Sequence, residues 1–321
     1  MGDFVKSAGI FHVGFGVRKL DVSTKFYMET LELTEIFECF DQATNPMADT
    51  FRNAHHVLSG NMFCHKTGGL TLEPVQLRCP TPRAIWTTPQ LGDIGPNKIT
   101  FAVADVEKFF KEYQDKVKFL GEPQSTTVPG LGEYAFVYGR DPDNNIVEFA
   151  SWEGAKVDQG LIGGVRILGM GVTELERSKA FFQKHCDMDV IVSEHDKFSG
   201  LVGSVSGSPD TQVKSCLLDC SKSSQAPVGT AMLELYEVSN PRGRSIPFGT
   251  MWGDFGFMET STVALGSMYQ LALYYEEEGV EVVQSPTTAI VDEEEGVEYW
   301  FIYARDPDGN FIETVGVHPI R

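Results

Sequence analysis

Histidines, cysteines and clustered carboxylates are the side chains through which this 321-residue chain could bind a metal ion or activate a substrate. The six cysteines are Cys39, Cys64, Cys79, Cys186, Cys216 and Cys220. They form no Cys-x-x-Cys pair, and Cys216 and Cys220 have no His or Cys cluster nearby, which argues against a zinc knuckle and a disulfide framework. His55-His56, with His65 nearby, invites a metal reading. Adjacent residues of a strand point to opposite faces, however, so His55 and His56 cannot both enter one site if they lie on a strand. The acidic run Asp292 to Glu295 reads as a solvated loop. Asp141-Pro-Asp-Asn-Asn and Asp306-Pro-Asp-Gly-Asn are turn chemistry between strands.

Those two turns end a duplication, and the duplication defines the elements that must carry any site. Residues 12–33, HVGFGVRKLDVSTKFYMETLEL, match residues 167–188, ILGMGVTELERSKAFFQKHCDM, at a shift of 155. Each contains Gly-x-Gly-Val and then an aromatic pair, Phe26-Tyr27 or Phe181-Phe182. Residues 135–149 match 300–314 at a shift of 165. Matching ends with unequal interiors describe a duplicated domain with insertions in the second copy. Each half divides again. A strand-like segment such as FHVGFGV precedes a helix with apolar positions at Val22, Phe26, Tyr27 and Leu31, and strand-like TEIFECF, HHVLSGNMF and LTLEPVQL follow. A second round runs from KITFAVAD through VEKFFKEYQDKV to YAFVYGR and NIVEFASW. The second half repeats both rounds, its last helix spanning about Ala264 to Glu278 and stopped by Gly279.

The predicted organisation is α+β, with four βαβββ modules paired into two cupped mixed-sheet domains. Residues 1–151 form the first domain, the Gly-rich stretch 152–164 the linker, and 165–321 the second domain. One such module exposes sheet edges and needs a partner. The short linker suggests pairing within each half, modules one and two forming one cup and three and four the other.

Twenty-six Lys and Arg against 45 Asp and Glu give a net charge of −19, which repels phosphate backbones and anionic membranes, so nucleic acid is not an expected partner. No run of about eighteen apolar residues predicts a membrane span. The first residues, MGDFVKSAGIF, lack a signal-peptide pattern, and a reducing, cytoplasmic setting is expected.

Strand, helix and three strands, closing on Asp-Pro-Asp-Gly-Asn-x-Ile-Glu, resemble the vicinal-oxygen-chelate superfamily over nearly the whole chain. Glyoxalase I, methylmalonyl-CoA epimerase, extradiol dioxygenases and metal-free bleomycin resistance proteins belong to that group. The resemblance implies a divalent metal held by the first strand of each module and a Glu on each last strand. In the first half it points to His12, Glu73 and Glu148 as ligands, with Lys98 where a histidine is expected. In the second half Ile167 replaces the first histidine. Glu234, Asp254 of Gly253-Asp254-Phe255, and Glu313 make a second, all-carboxylate set.

One imidazole and two carboxylates suit Mn, Fe, Co, Ni or Zn with positions left for two substrate oxygens. The resemblance then implies a metal-assisted lyase, isomerase or epimerase acting on a small molecule with vicinal oxygens, Glu148 or Glu73 moving a proton. Lys98 either pairs with Glu73 or Glu148, stands in for part of a cation's charge, or works as an acid or base beside a metal. The alternatives are an extradiol-type dioxygenase, disfavoured by Ile167 and Asp254 at its histidine positions, and a metal-free binding protein. A small-molecule substrate is the expected partner, in a monomer or homodimer.

Overall fold

A computed structural model describes residues 7–43, 50, 55–86, 88–155, 157–196, 202–220, 231–247, 249–264 and 266–320. Lys156 of the linker lies outside them. The chain forms four modules, each a strand, a helix and three further strands, as its duplicated pattern predicts. Module one has an opening strand His12–Gly16, a helix from Leu20 that widens over Lys25–Thr30, and strands Glu35–Ala43, Val57–Cys64 and Thr71–Cys79. Module two opens with Gly95–Val103, continues through helix Val106–Tyr113, a two-residue edge strand Lys118–Phe119 and strands Gln124–Val128 and Gly132–Arg140, and closes with Ile146–Trp152. Module three opens with Ile162–Val172, has helix Leu175–His185, and continues through Val190–Asp196 and Gln212–Asp219 to Met232–Ser239. Module four opens with Gly256–Phe257 and Glu259–Ala264, has helix Met268–Glu277, and then Val282–Asp292, Val297–Arg305 and Phe311–Pro319.

In every module the opening strand lies parallel to the closing strand. The two strands are therefore neighbours, and a residue on each can face the same concavity.

The pairing of modules differs from the expectation. Modules two and three share one nine-stranded sheet, joined antiparallel where Ile162 faces Val103 and Val165 faces Phe101. Modules one and four meet along His12–Gly16. Phe257 pairs with Phe15, and the seam continues through Met258 N–H to the Gly14 carbonyl and Phe11 N–H to the Ser261 carbonyl. Each cup thus takes one module from each half. Connection length explains this. Nine residues, 153–161, separate the last strand of module two from the first of module three, while fifteen, 80–94, separate modules one and two. The closest neighbours along the chain pair, and modules one and four are left for one another.

Alternation along the strands separates core from cup. On Ile146–Trp152, Val147 and Phe149 pack beneath the helices with Phe101, Phe109 and Phe182, whereas Ile146 and Ala150 belong to the apolar floor of the second cup with Tyr138, Ile167 and Tyr236. Glu148 shares the face of Ile146 and Ala150. The same rule places Glu234 between Met232 and Tyr236, and Glu313 between Phe311 and Val315, on cup faces. The Asp-Pro-Asp turns behave as expected: Asp141 accepts the N–H groups of Asp143 and Asn145, and Asp306 those of Asp308 and Asn310.

Candidate metal centre

Strand register fixes which residues converge. Gly14 lies opposite Glu73, Thr100 opposite Glu148, Gly169 opposite Glu234 and Ser261 opposite Glu313. Two residues earlier on each opening strand, on the same face, stand His12, Lys98, Ile167 and Glu259. The first cup therefore gathers His12, Glu73, Glu259 and Glu313; the second gathers Lys98, Glu148, Ile167 and Glu234.

In the first cup His12 Nε2 lies 2.9 Å from Glu313 Oε2 and 3.5 Å from both Glu73 Oε2 and Glu259 Oε1. Ligand atoms of His12, Glu73 and Glu259 all fall within 4.8 Å of one another. His12, Glu259 and Glu313 are buried, and Glu73 keeps 12 % of its side chain exposed. The far oxygens are anchored from outside the cluster: Trp252 Nε1 donates to Glu259 Oε2 at 2.6 Å, and Tyr303 Oη donates to Glu313 Oε1 at 2.6 Å. The near atoms are not satisfied. His12 Nε2, Glu259 Oε1 and Glu313 Oε2 have no hydrogen-bond partner, because the short His12–Glu313 approach is not aligned as an N–H···O bond.

Electrostatics point the same way. Burial alone would lower the His12 pKa, but Glu313, Glu259 and Glu73 hold it well above its ordinary value. Burial, with the neighbouring carboxylates, raises Glu73 and Glu259 despite His12. Glu313 is held below the ordinary range because His12 and the hydroxyls of Tyr303 and Ser261 outweigh its burial. Three carboxylates at this range cannot all ionise cheaply without a cation: in the metal-free site a protonated His12 supplies it, and a metal would take the place of that proton. One imidazole nitrogen and three convergent carboxylates, with His12 Nε2, Glu259 Oε1 and Glu313 Oε2 unsatisfied, fit a divalent metal of the Mn, Fe, Co, Ni or Zn type.

The second cup is built otherwise. Lys98 Nζ donates to Glu148 Oε2 at 2.5 Å and Glu234 Oε2 at 2.7 Å. Thr100 Oγ1 also donates to Glu148 Oε2, and Ser215 Oγ to Glu234 Oε1. Burial would lower the Lys98 pKa, yet the two glutamates raise it, so the ammonium stays protonated. Lys98 and Ser215 hold Glu234 below the ordinary carboxylate range against its burial.

Two residue sets expected from the sequence are thus redistributed. His12 and Glu73 do meet, but Glu148 is in the other cup, held by Lys98. Of Glu234, Asp254 and Glu313, no two share a site. Asp254 is a turn anchor, accepting the N–H groups of Arg83 and Met251. Glu259, which the sequence reading passed over, takes the place assigned to Asp254. A signal for it exists: His12, Lys98 and Ile167 each stand seven residues before a helix N-cap, Lys19, Asp105 and Glu174, and Glu259 stands eight before Ser267. His65 is elsewhere, its Nδ1 2.7 Å from Thr67 Oγ1. All six cysteines are free thiols. Among the described residues no helix is long and apolar enough to cross a membrane.

The two glycines of the repeated Gly-x-Gly-Val have a steric reason here. A Cβ on Gly14 would collide with the Glu259 carboxylate, and one on Gly169 with Lys98 Cε. A Cβ on Gly16 or Gly171 would strike the backbone carbonyl of Asp254 or Asp93. Each motif leaves room for the partner module's side chain and turn.

Glyoxalase I from Zea mays superposes with a TM-score of 0.59 at 16 % identity, covering 96 % of this chain and 92 % of that one. A putative dioxygenase from Bacillus subtilis superposes with a TM-score of 0.54 at 13 % identity, covering 98 % and 87 %. These likenesses concern the fold. Comparison with curated protein sequences gave no match. The family model for the Glyoxalase/Bleomycin resistance protein/Dioxygenase superfamily matches twice, over residues 9–149 and 165–314, and the chain belongs to that superfamily.

Proposed function

We propose that this protein is a divalent-metal-assisted lyase or isomerase of glyoxalase type, acting in the cup of modules one and four on a small molecule with vicinal oxygens. The observation that carries the reading is the convergence of His12, Glu73 and Glu259 within 4.8 Å, with Glu313 against His12. These four side chains would hold the metal. A bound dication supplies a Lewis acid that lowers the cost of removing a proton next to a carbonyl.

Glu73 is the residue placed to move that proton. It is the most exposed of the four, so it is the one a substrate proton can reach, and in the metal-free site burial among carboxylates raises its pKa. Trp252 and Tyr303 keep Glu259 and Glu313 in position, the outer support that fixes ligand geometry in metal sites. Phe11, whose ring meets His12 edge-on at 4.9 Å, with Met258 and Phe301, keeps the surroundings apolar. Glu148 and Lys98, offered by the resemblance as acid–base groups, neutralise one another in the second cup.

The test is metal analysis of protein purified without chelator, with proton exchange in deuterated water on small α-hydroxy ketones. One equivalent of metal per chain, and exchange abolished by His12→Ala, are expected. Wild-type protein that binds neither Mn²⁺ nor Zn²⁺ would rule the reading out.

A further inference from the structure

The wall of module one carries a carboxylate that neither the metal ligands nor the fold employs. Glu38, on strand Glu35–Ala43, lies opposite Met62. The next strand pair sets Gly60 opposite Val75 and Phe63 opposite Leu72, and that register puts Met62 opposite Glu73. Glu38, Met62 and Glu73 therefore stand in one row on the cup face. With neighbouring strands about 4.8 Å apart, Glu38 is about 10 Å from Glu73 along the wall. Phe40, two residues on and on the same face, and Tyr299, on the wall of module four, pack with Met62 against the apolar lining of this cup. Glu38 is half-buried, yet among the described residues it has no hydrogen bond and no ion pair. Given the metal-bound first cup proposed above, we infer that Glu38 is its specificity-determining residue and selects a substrate carrying an ammonium group beyond the vicinal oxygens.

Charge and lining set this substrate class. A dication with a neutral His12 and three carboxylates leaves one negative charge in excess, and Glu38 adds another. Among the described residues no lysine or arginine forms an ion pair with Glu38, Glu73, Glu259 or Glu313, whereas Lys98 pairs with both glutamates of the second cup. A carboxylate or phosphate on the substrate is therefore repelled, and an ammonium is drawn in. Burial, with Glu313, raises the Glu38 pKa against the opposing pull of His12, as expected for a carboxylate with no donor of its own. An ammonium brings three donors to that carboxylate. The two rings suit the same group, because a cation over the face of Phe40 or Tyr299 is attracted by the ring quadrupole. Burial raises the Tyr299 pKa, and Glu295, Asp292 and Glu38 raise it further, so the phenol stays neutral beside Glu38.

Three catechols of similar shape separate charge from size in the test: dopamine, with an ammonium on a two-carbon arm, neutral ethylcatechol, and dihydrocaffeate, with a carboxylate. Their paired hydroxyls supply the vicinal oxygens. Each is titrated calorimetrically, under nitrogen, into protein loaded with Mn²⁺ or, where it holds that ion better, Zn²⁺. Wild type should bind dopamine about tenfold more tightly than ethylcatechol, the size of one charge-assisted hydrogen bond, and dihydrocaffeate more weakly than either. Glu38→Gln should bring dopamine to the level of ethylcatechol and leave the affinities for ethylcatechol and for metal unchanged. Glu38→Lys should reverse the order of dopamine and dihydrocaffeate. Glu295→Gln, at an exposed carboxylate that also acts on Tyr299, should keep the wild-type preference. Equal wild-type affinities for dopamine and ethylcatechol overturn the inference. So does a preference that Glu38→Gln retains, or one that Glu295→Gln abolishes. Protein that takes up neither ion refutes the metal reading, and this one with it, at the loading step; metal uptake without a preference for dopamine refutes this one alone.

Discussion

Replacing Glu259 by Gln should stabilise the metal-free protein and weaken its metal binding, two effects of opposite sign from one side chain. Glu259 Oε1 is 3.5 Å from His12 Nε2, and its ligand atom is within 4.8 Å of that of Glu73. Unit charges about 4 Å apart interact by ~4 kcal/mol at an effective dielectric near 20. Without metal, the Gln variant gives up one attraction, to His12, and two repulsions, from Glu73 and Glu313. Because burial already favours the protonated form of Glu259, only part of the net repulsion is present to be relieved. A gain of ~1–2 kcal/mol is expected, a few degrees in Tm. With a dication bound, the lost attraction is twice a unit pair, ~8 kcal/mol as a ceiling. Gln retains an oxygen and avoids the carboxylate's desolvation. If only a quarter of the ceiling survives, ~2 kcal/mol, metal affinity falls roughly 30-fold.

Asp254→Asn is the control, since the sequence alone would choose Asp254. Its two oxygens accept the N–H groups of Arg83 and Met251 at 2.8 and 3.1 Å, so an amide there faces one of these donors with NH₂. A loss of ~1–3 kcal/mol in stability with unchanged metal affinity is expected. The assay is thermal unfolding with EDTA and with Mn²⁺, beside calorimetric metal titration of all three proteins. Equal metal affinity for Glu259→Gln and wild type, or a lower metal-free Tm for that variant, would refute the reasoning.

Tyr303→Phe removes the hydroxyl that donates to Glu313 and should weaken metal binding 10–100-fold, the usual range for outer support of a ligand, read by competition with a chromogenic chelator. Gly14→Ala should lower metal affinity at least tenfold and destabilise by ~1–3 kcal/mol through overpacking against Glu259, whereas Gly169→Ala should spare the metal site and disturb Lys98. Glu234 has a folded pKa below its ordinary value, so its contribution to stability is present above the unfolded glutamate pKa of about 4.3 and is lost as pH falls through the folded value. Urea midpoints of the wild type should therefore drop below pH ~4.3, and the drop should be shallower in Glu234→Gln; parallel profiles would contradict the Lys98 pairing.

Much of the architecture is legible in the chain. The double repeat, the helical spacing of Phe26, Tyr27 and Leu31, and the Asp-Pro-Asp turns predict four modules of one kind, and the alternation around Glu148 and Glu313 puts each glutamate on a cup face. His12 and Glu73 were readable because they belong to one module and one parallel strand pair, a local relation. Glu259 was hidden by a better-looking alternative. Gly253-Asp254-Phe255 imitates an opening strand, yet it is a turn whose Asp is consumed by backbone donors. Counting back seven from a helix start placed at Ser267 and not at Ala264 lands on Thr260, beside Glu259 and away from Asp254. The site's second half was not readable at all without knowing which modules pair, because Glu259 and Glu313 come to His12 from almost the other end of the chain.

That pairing was nevertheless written into the sequence twice, in a motif read only as a marker of duplication. Gly-x-Gly-Val opens modules one and three and is absent from modules two and four. Two seams join four modules, and each seam sets one glycine-bearing strand against one strand carrying a bulky site residue. Gly14 faces Glu259 across the first seam, and Gly169 faces Lys98 across the second. Gly16 and Gly171 admit the turns at Asp254 and Asp93 that precede those partner strands. A module whose opening strand carries small residues must meet one that does not, so modules one and three cannot pair together, nor can two and four, without leaving gaps or clashes at the seam. The nine-residue connection 153–161 then chooses between the two arrangements that remain, joining three to two and leaving one to four. The chemistry of each cup follows from that choice: pairing one with four brings a histidine to three carboxylates, and pairing two with three gives a lysine to the other two.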